Sequence, residues 1–260
     1  MNIKTQIINK LHETEATHNV KIPLAIESGS RGWGFASPDS DYDCRFIYAP
    51  TKNHYLSIQN RRDVIEYKAD AIFDINGWDL KKAIQHIIKS NAVILEWLSC
   101  QEIYLRHEEV ASKLDQLGKK FFNPIHVTHH YLALARKKLA EIEGNEYAKL
   151  KAYFYVLRPL ANVCYIDKFG VMSPMEYDQA LMAIDISDEV RAEIRRLLEI
   201  KTSATEAELI QRNEVLISYF KGEIDYYTAR VKEMIFEPIH DLTLADEAFR
   251  EILELMWDAR

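Results

Sequence analysis

The chain has 260 residues, 48% hydrophobic and 28% charged, which is typical of a globular protein with one large or two small domains. Its formal net charge of −7 argues against a broad basic surface for duplex nucleic acid, although a local basic groove is still allowed. Three widely spaced cysteines and no run of about 18 apolar residues favour a cytoplasmic protein with reduced thiols and no membrane partner.

The first elements are a helix and a strand. Apolar residues at helical spacing predict a helix at 2–17, and alternation predicts a strand at 20–27. Pro23 places that strand at a sheet edge, or itself at a position outside the hydrogen-bonded ladder. The loop that follows holds Trp33 and Phe35, and it is either a flexible connector or a lid whose aromatic side chain contacts substrate.

Two short motifs follow the first strand. Gly29-Ser30 lies at a predicted strand-to-helix turn, where backbone N–H groups would bind phosphate. A second strand begins at Asp41, and its alternation places Asp41 and Asp43 on one face. Two neighbouring carboxylates repel unless a cation lies between them, and Mg²⁺ takes one or two carboxylates plus substrate phosphates. The pair of motifs therefore indicates metal-assisted phosphoryl or nucleotidyl transfer.

The next segment continues the sheet. Residues 62–76 predict a strand, a turn and a strand, and Asp74 is a lone carboxylate between apolar neighbours in the second strand. Asp79 is predicted to cap the helix that follows. An apolar helix at 91–100 and a short strand at 101–106 complete this part of the chain.

From residue 107 the pattern becomes helical. Helices are predicted at 108–118, 124–143, 146–168, 174–183, 187–201, 205–232 and 242–258. On the third of these helices, one face carries Lys151, Tyr155, Arg158 and Asn162. Lysine, arginine and an aromatic ring suit a triphosphate and a base, and the alternative is a solvated basic face on a bundle helix.

Gly29-Ser30 followed by Asp41-Tyr42-Asp43 resembles the signature of the DNA polymerase beta nucleotidyltransferase superfamily. A longer similarity, from about residue 22 to residue 174, is to a bacterial branch of predicted nucleotidyltransferases, some of them linked to RNA repair. The similar segments are Gly29–Gly34, Asp39–Asp43, Asn76–Leu80, Leu95–Leu98 and Tyr155–Leu160.

The resemblance implies an α/β (α+β) fold with a nucleotidyltransferase-type mixed sheet, flanking helices and a C-terminal helical bundle. It implies a catalytic domain at 1–106 and a helical domain at 107–260 that closes over the nucleotide. It also implies that Asp41, Asp43 and Asp74 are catalytic and hold two Mg²⁺ ions, with Mn²⁺ as a substitute.

Alternatives for the third acid stay open. Asp74 would complete the metal site and could accept the proton of an attacking hydroxyl, or it is a strand-end residue that faces water. Glu66 is the competing third acid.

The same resemblance implies a nucleotide site formed by Gly29, Ser30, Arg31, Lys151, Tyr155 and Arg158. An acceptor hydroxyl would attack the α-phosphate of ATP or another NTP, and pyrophosphate would leave. The acceptor is an RNA end, a protein or a small molecule, and the sequence does not choose among them. Two rival functions are an inactive nucleotide-binding regulatory module and an antitoxin-like transferase that modifies a partner protein. In the second rival the long acidic helices would be the partner surface. The apolar stripe at 206–228 is either the core of a helical bundle or a dimer surface, so an oligomer is possible.

Overall fold

The computed structural model describes residues 2–67, 72–182, 184–203 and 208–258. The chain divides into two units. Unit 1 comprises Met1–Gly32, Asp41–Phe122 and Pro238–Arg260. Unit 2 comprises Trp33–Ser40 and Asn123–Glu237. These units differ in extent from the predicted ranges 1–106 and 107–260, and the closure of a helical domain over a nucleotide stays a prediction.

Unit 1 contains a five-stranded mixed sheet. Its strands are β1 (Val20–Ser28), β2 (Tyr42–Pro50), β3 (Val64–Glu66), β4 (Phe73–Asp79) and β5 (Ile103–Arg106). Their order is β3-β4-β2-β1-β5, in which β2 and β4 run parallel and the other neighbours run antiparallel. The predicted α/β (α+β) class with a mixed sheet is confirmed. The predicted turn between β3 and β4 falls on residues 68–71, outside the described residues.

Helices flank the sheet in unit 1 and make up most of unit 2. They are α1 (Ile3–His18), α2 (Gly29–Gly32), α3 (Lys52–Tyr55), α4 (Leu80–Ile88), α5 (Ala92–Ser99), α6 (Glu108–Phe121), α7 (Pro124–Glu143), α8 (Leu150–Phe169), α9 (Tyr177–Leu181), α10 (Asp188–Ser203), α11 (Glu214–Arg230) and α12 (Thr243–Trp257). A 3₁₀ helix, Val231–Glu233, follows α11. Helices α7 to α11 and the 3₁₀ helix belong to unit 2, and helices α1 to α6 and α12 belong to unit 1.

The alternation predicted for β2 is present. The buried cluster on one side of the sheet includes Ile7, Leu11, Cys44, Phe46 and Tyr48. Burial of each large apolar side chain contributes roughly 1.5–3 kcal/mol, so this cluster fixes which face of β2 points inward. Asp43 and Arg45 alternate with the cluster residues and are only half-buried.

Pro23 does not mark a sheet edge, because β1 lies between β2 and β5. The register of β1 against β2 shifts between Lys21 and Leu24, which places Pro23 in an irregular part of the ladder. Its carbonyl accepts a hydrogen bond from the His107 N–H at 2.7 Å. The second predicted alternative, a position outside the regular ladder, is therefore the one found.

Unit 2 departs from the prediction at two helix starts. A short antiparallel ribbon is formed by β6 (Tyr147–Lys149) and β7 (Leu209–Gln211). The helix predicted at 146–168 was therefore wrong at β6, and the helix predicted at 205–232 was wrong at β7. Residues 205–207 of the second prediction lie outside the described residues. Helix α11 starts only after Asn213, whose side chain caps it by accepting the Leu216 N–H at 3.0 Å.

In the part of the chain that the structure describes, none of the helices is both long enough and apolar enough to cross a bilayer. The three cysteines, Cys44, Cys100 and Cys164, form no disulfide.

Candidate active site

The turn after β1 lies directly against an acidic side chain. Gly29 has a φ of +73°, a conformation that glycine adopts without steric cost. A Cβ at Gly29 would lie 2.1 Å from Oδ2 of Asp43. The reason is the antiparallel pairing of β1 with β2, which places Ser28 opposite Asp43. The two predicted motifs therefore meet, and only glycine fits at their junction.

Two of the three predicted acids lie side by side. Asp43 and Asp74 are register partners on the parallel strands β2 and β4. Nη2 of Arg45 donates to Oδ1 of Asp43 at 3.1 Å and to Oδ2 of Asp74 at 2.6 Å. Asn76 donates to the other oxygen of Asp74 at 2.5 Å. One guanidinium thus bridges both carboxylates and offsets their repulsion.

Asp41 lies one residue before β2. Its backbone carbonyl accepts a hydrogen bond from Nε of Arg31 at 3.0 Å. The Arg31 guanidinium lies over the Tyr42 ring, 4.0 Å from its centroid. Ser30 is buried beside it in the short helix α2. The predicted phosphate-binding residues are therefore next to the start of the acidic strand, and Asp41 meets Arg31 through its backbone.

Glu66, the competing third acid, is occupied elsewhere. It is exposed on β3, where it forms an ion pair with Arg62 at 2.6 Å. Asp74 instead shares the guanidinium of Arg45 with Asp43. The geometry therefore favours Asp74 over Glu66 as the partner of Asp43, and the Asp74 carboxylate does not simply face water.

The sequence analysis missed Glu27, which is only 4% exposed. Its Oε1 accepts the N–H of Asp43 at 2.9 Å, and its Oε2 accepts the hydroxyl proton of Tyr104. Burial raises the pKa of Glu27 to about 7, although both hydrogen bonds oppose this shift. The available signal was a carboxylate two residues before Gly29, directly after the apolar run at 22–26.

The donor atoms of this site suit a hard divalent cation. Within the described residues, no group of three or more His, Cys, Asp or Glu side chains is arranged to hold a metal ion. Asp43 and Asp74 nevertheless offer two carboxylates, the number that Mg²⁺ uses together with substrate phosphates. Positive charge is favourable between them, since the Arg45 guanidinium already lies there. The residues therefore fit one Mg²⁺ bound jointly with a phosphate ligand.

The predicted basic face of α8 is divided in two. Lys151 and Tyr155 line a cleft of about 500 Å³ in unit 2. Arg158 is 5% exposed, with its guanidinium 4.2 Å from the centroid of the Trp33 ring, and Asn162 is also buried. The alternative of a solvated basic face therefore does not hold for Arg158. Arg158 is not among the residues that line the cleft.

The loop between the two motifs is packed within unit 2. Phe35 is buried and stacks on Phe154, with ring centroids 5.3 Å apart. Nζ of Lys201 donates to the hydroxyl of Ser37 at 2.9 Å. The packing of Phe35 argues against a flexible connector and against Phe35 as the ring that contacts substrate. Trp33 is half-buried, and a substrate contact through its ring stays a prediction.

Comparison with known proteins identifies the family to which the chain is similar. The sequence model of RlaP, described as the RNA repair pathway DNA polymerase beta family, matches residues 3–251. The uncharacterized protein YcgL of Bacillus subtilis (strain 168) is 39% identical over 232 residues, which covers 89% of each protein. The crystal structure of a nucleotidyltransferase-like protein from Exiguobacterium sibiricum is similar at a TM-score of 0.36 and 14% identity, covering 99% of this chain and 89% of that one.

Proposed function

The chain belongs to the RNA repair pathway DNA polymerase beta family, RlaP, and we propose that it is a metal-dependent nucleotidyltransferase. It transfers a nucleoside monophosphate from an NTP to an acceptor hydroxyl and releases pyrophosphate. One observation carries this proposal: Asp43 and Asp74 lie side by side on parallel strands, with the backbone of Gly29 against Asp43. Family membership supports nucleotidyltransferase chemistry in general, and this geometry supports the specific reaction.

The residues of unit 1 have separate roles in the proposed reaction. Asp43 and Asp74 hold Mg²⁺, which supplies charge neutralisation for the triphosphate when it is bound. Gly29 lets the backbone of the turn lie directly against Asp43, because the space that a Cβ would fill is taken by the Asp43 carboxylate. Ser30 and Arg31 donate hydrogen bonds to phosphate oxygens. Asp74 accepts the proton of the attacking hydroxyl.

Arg45 prepares this site before substrate binds. It holds Asp43 and Asp74 together through two charge-assisted hydrogen bonds. Carboxylates held in place need little reorganisation when phosphate binds, which lowers the cost of reaching the transition state. A second metal ion would draw on Asp41, which lies one residue before β2.

The predicted nucleotide contacts from unit 2 stay a prediction. Lys151 and Tyr155 line a cleft whose charge and ring suit phosphate and base groups, either of the NTP or of the acceptor. Arg158 is buried against the Trp33 ring and does not line this cleft.

Transfer of label from α-labelled NTPs in the presence of Mg²⁺ tests the reaction. RNA ends, proteins and small hydroxylated molecules serve as acceptors. Asp43→Asn and Asp74→Asn should each reduce transfer by about a hundredfold or more, because each removes a carboxylate that acts on the reacting phosphates. Asp63→Asn is the matched control, since Asp63 is an exposed acid of unit 1 that pairs with Lys82. Transfer that survives both site substitutions would contradict the assignment.

One observation favours a second candidate function, a nucleotide-binding module without turnover. The described residues contain no group of three acids placed to hold a metal ion, and Arg45 bridges the two that are close. Such a module would bind Mg²⁺–NTP, as measured by calorimetry, and would transfer no label to any acceptor of the panel.

A further inference from the structure

The cleft in unit 2 is rich in lysine. Its lining includes Lys138, Lys149, Lys151, Tyr147, Tyr155 and Glu141. Nζ of Lys138 lies 2.9 Å from each oxygen of Glu141, so this acid is already neutralised. In a chain with a net charge of −7, such a concentration of positive charge is local. The cleft would therefore attract an anionic ligand.

Two other clefts of unit 2 have the opposite character. Each is lined by three acids and one base. The first has Glu143, Glu146 and Glu214 with Arg212, and the second has Asp167, Asp185 and Glu223 with Lys168. Lys221 pairs with Glu143 and Arg230 with Asp167, which offsets part of this negative charge. An extended anion would still be attracted less to these clefts than to the first cleft, whose lining has three lysines and one acid. Among these three clefts, the one with three lysines is the place where an extended anion would be retained.

Aromatic surface accompanies the lysines. Tyr147 and Lys149 are both exposed on one face of β6, on either side of the buried Ala148. Tyr147 is 54% exposed, which leaves its ring open to a planar partner. The Tyr155 ring meets Trp33 edge-on, with centroids 5.4 Å apart, so its orientation is fixed. Lysines beside open aromatic rings are typical of sites that bind single-stranded nucleic acid.

The chemistry of the cleft favours a phosphodiester over a triphosphate. An NTP is bound with Mg²⁺, which needs carboxylate oxygens, and in this cleft Glu141 is held by Lys138. Lysines alone are sufficient for phosphodiester groups, which bind without a metal. The cleft also lies at the start of α8, because Lys151 and Ala152 line it, and the positive end of the helix dipole adds to the attraction.

We propose that this cleft binds the backbone of a single-stranded nucleic acid, the chain that presents the acceptor hydroxyl. That this strand is the acceptor rests on the proposed function, whereas the binding of a single strand in the cleft does not. Lys149 and Lys151 contact successive phosphates, and Tyr147 stacks on a base.

Fluorescence anisotropy tests the proposal with a labelled single-stranded oligoribonucleotide in EDTA over a range of salt concentrations. Lys149→Gln/Lys151→Gln should weaken binding and reduce the slope of log affinity against log salt by about 0.7 for each lost contact. Tyr147→Ser should weaken binding by about tenfold, and Tyr147→Phe should restore it, because stacking needs the ring alone. The matched control, Lys168→Gln/Lys232→Gln, removes two unit 2 lysines outside the cleft and should leave affinity and slope unchanged.

Each alternative explanation of oligonucleotide binding predicts a different experimental result. Equal losses in the cleft variant and in the control would overturn the proposal, because they would indicate attraction to lysines in general. Loss of Mg²⁺–ATP binding with intact oligonucleotide binding would overturn it in favour of a donor site. The double variant Asp43→Asn/Asp74→Asn should bind the oligonucleotide normally, since binding in EDTA needs neither acid. If wild-type protein binds the oligonucleotide but transfers no label, the proposed function fails and the cleft assignment stands.

Discussion

Replacement of Glu27 by glutamine should change how stability depends on pH. Glu27 is buried, and it joins the backbone of Asp43 to the Tyr104 hydroxyl. Glutamine resembles the protonated carboxyl in shape, and its carbonyl oxygen can still accept the Asp43 N–H. The glutamine NH2 group can donate to the Tyr104 hydroxyl oxygen, which reverses the direction of that hydrogen bond. The variant therefore keeps two hydrogen bonds and loses the titration. Residue 27 should then no longer contribute to the pH dependence of the free energy of unfolding.

The wild-type protein should lose stability as pH rises. Burial raises the pKa of Glu27 from 4.5 to about 7 in the folded state. Between those values the folded protein keeps a proton that the unfolded chain has released, so the free energy of unfolding falls with increasing pH. The stabilisation by the Glu27 proton is fully present below pH 4.5 and is lost above about pH 7. At about 1.36 kcal/mol per pKa unit, the total change approaches about 3 kcal/mol.

Urea denaturation in EDTA, from about pH 5 to about pH 8, measures the free energy of unfolding of wild type and of Glu27→Gln. Tryptophan fluorescence reports mainly on unit 1, which contains Trp78, Trp97 and Trp257, whereas Trp33 belongs to unit 2. The gap in unfolding free energy between Glu27→Gln and wild type should widen by about 2–3 kcal/mol toward high pH. Glu13→Gln, at an exposed carboxylate of α1, is the control and should give a nearly constant gap. A constant gap for Glu27→Gln as well would refute the assignment of a proton to Glu27.

Three further predictions concern the neighbouring residues. Gly29→Ala should lower the free energy of unfolding by at least about 1 kcal/mol more than Gly34→Ala in urea denaturation, because both have positive φ but only a Cβ at Gly29 meets Asp43; equal losses would contradict this. Arg45→Met should lower the Tm in EDTA and enlarge the stabilisation by Mg²⁺ in thermal scans, because it leaves two carboxylates without their bridging cation; an unchanged Mg²⁺ response would disprove it. Asp79→Ala should cost at least about 1 kcal/mol as measured by thermal circular dichroism, because it removes the helix cap and the acceptor of the Tyr55 hydroxyl proton, and Asp79→Asn should cost less, since asparagine also caps helices; equal costs would count against the cap.

Features set by local chemistry could be predicted from the sequence. Helix α7 occupies the predicted range 124–143, because Asn123 caps it and Pro124 starts it. Asp79 caps α4 by accepting the Lys81 N–H at 2.7 Å, as predicted. The alternation of β2 likewise placed Asp43 on the face opposite the core. Each of these depends on residues a few positions apart.

Features set by distant partners could not be predicted in this way. The β6–β7 ribbon pairs three residues with three others more than fifty positions away, and three residues are too few to show alternation. The burial of Glu27 depends on Tyr104 from β5, which becomes its neighbour only through the strand order. Arg158 is buried because Trp33 covers its guanidinium. In all three cases the deciding contact is tertiary.

The residues between the two motifs do not set the distance from the Gly-Ser turn to the acidic strand. The chain leaves unit 1 after Gly32 and returns at Asp41, and the intervening residues belong to unit 2. There the carbonyl of Trp33 accepts the Tyr177 N–H at 2.9 Å. The distance from Gly29 to Asp43 is instead fixed by the β1–β2 ladder. Because the ladder and not the spacer brings the turn to the carboxylate, strand pairing is stronger evidence for this site than the number of residues between the motifs.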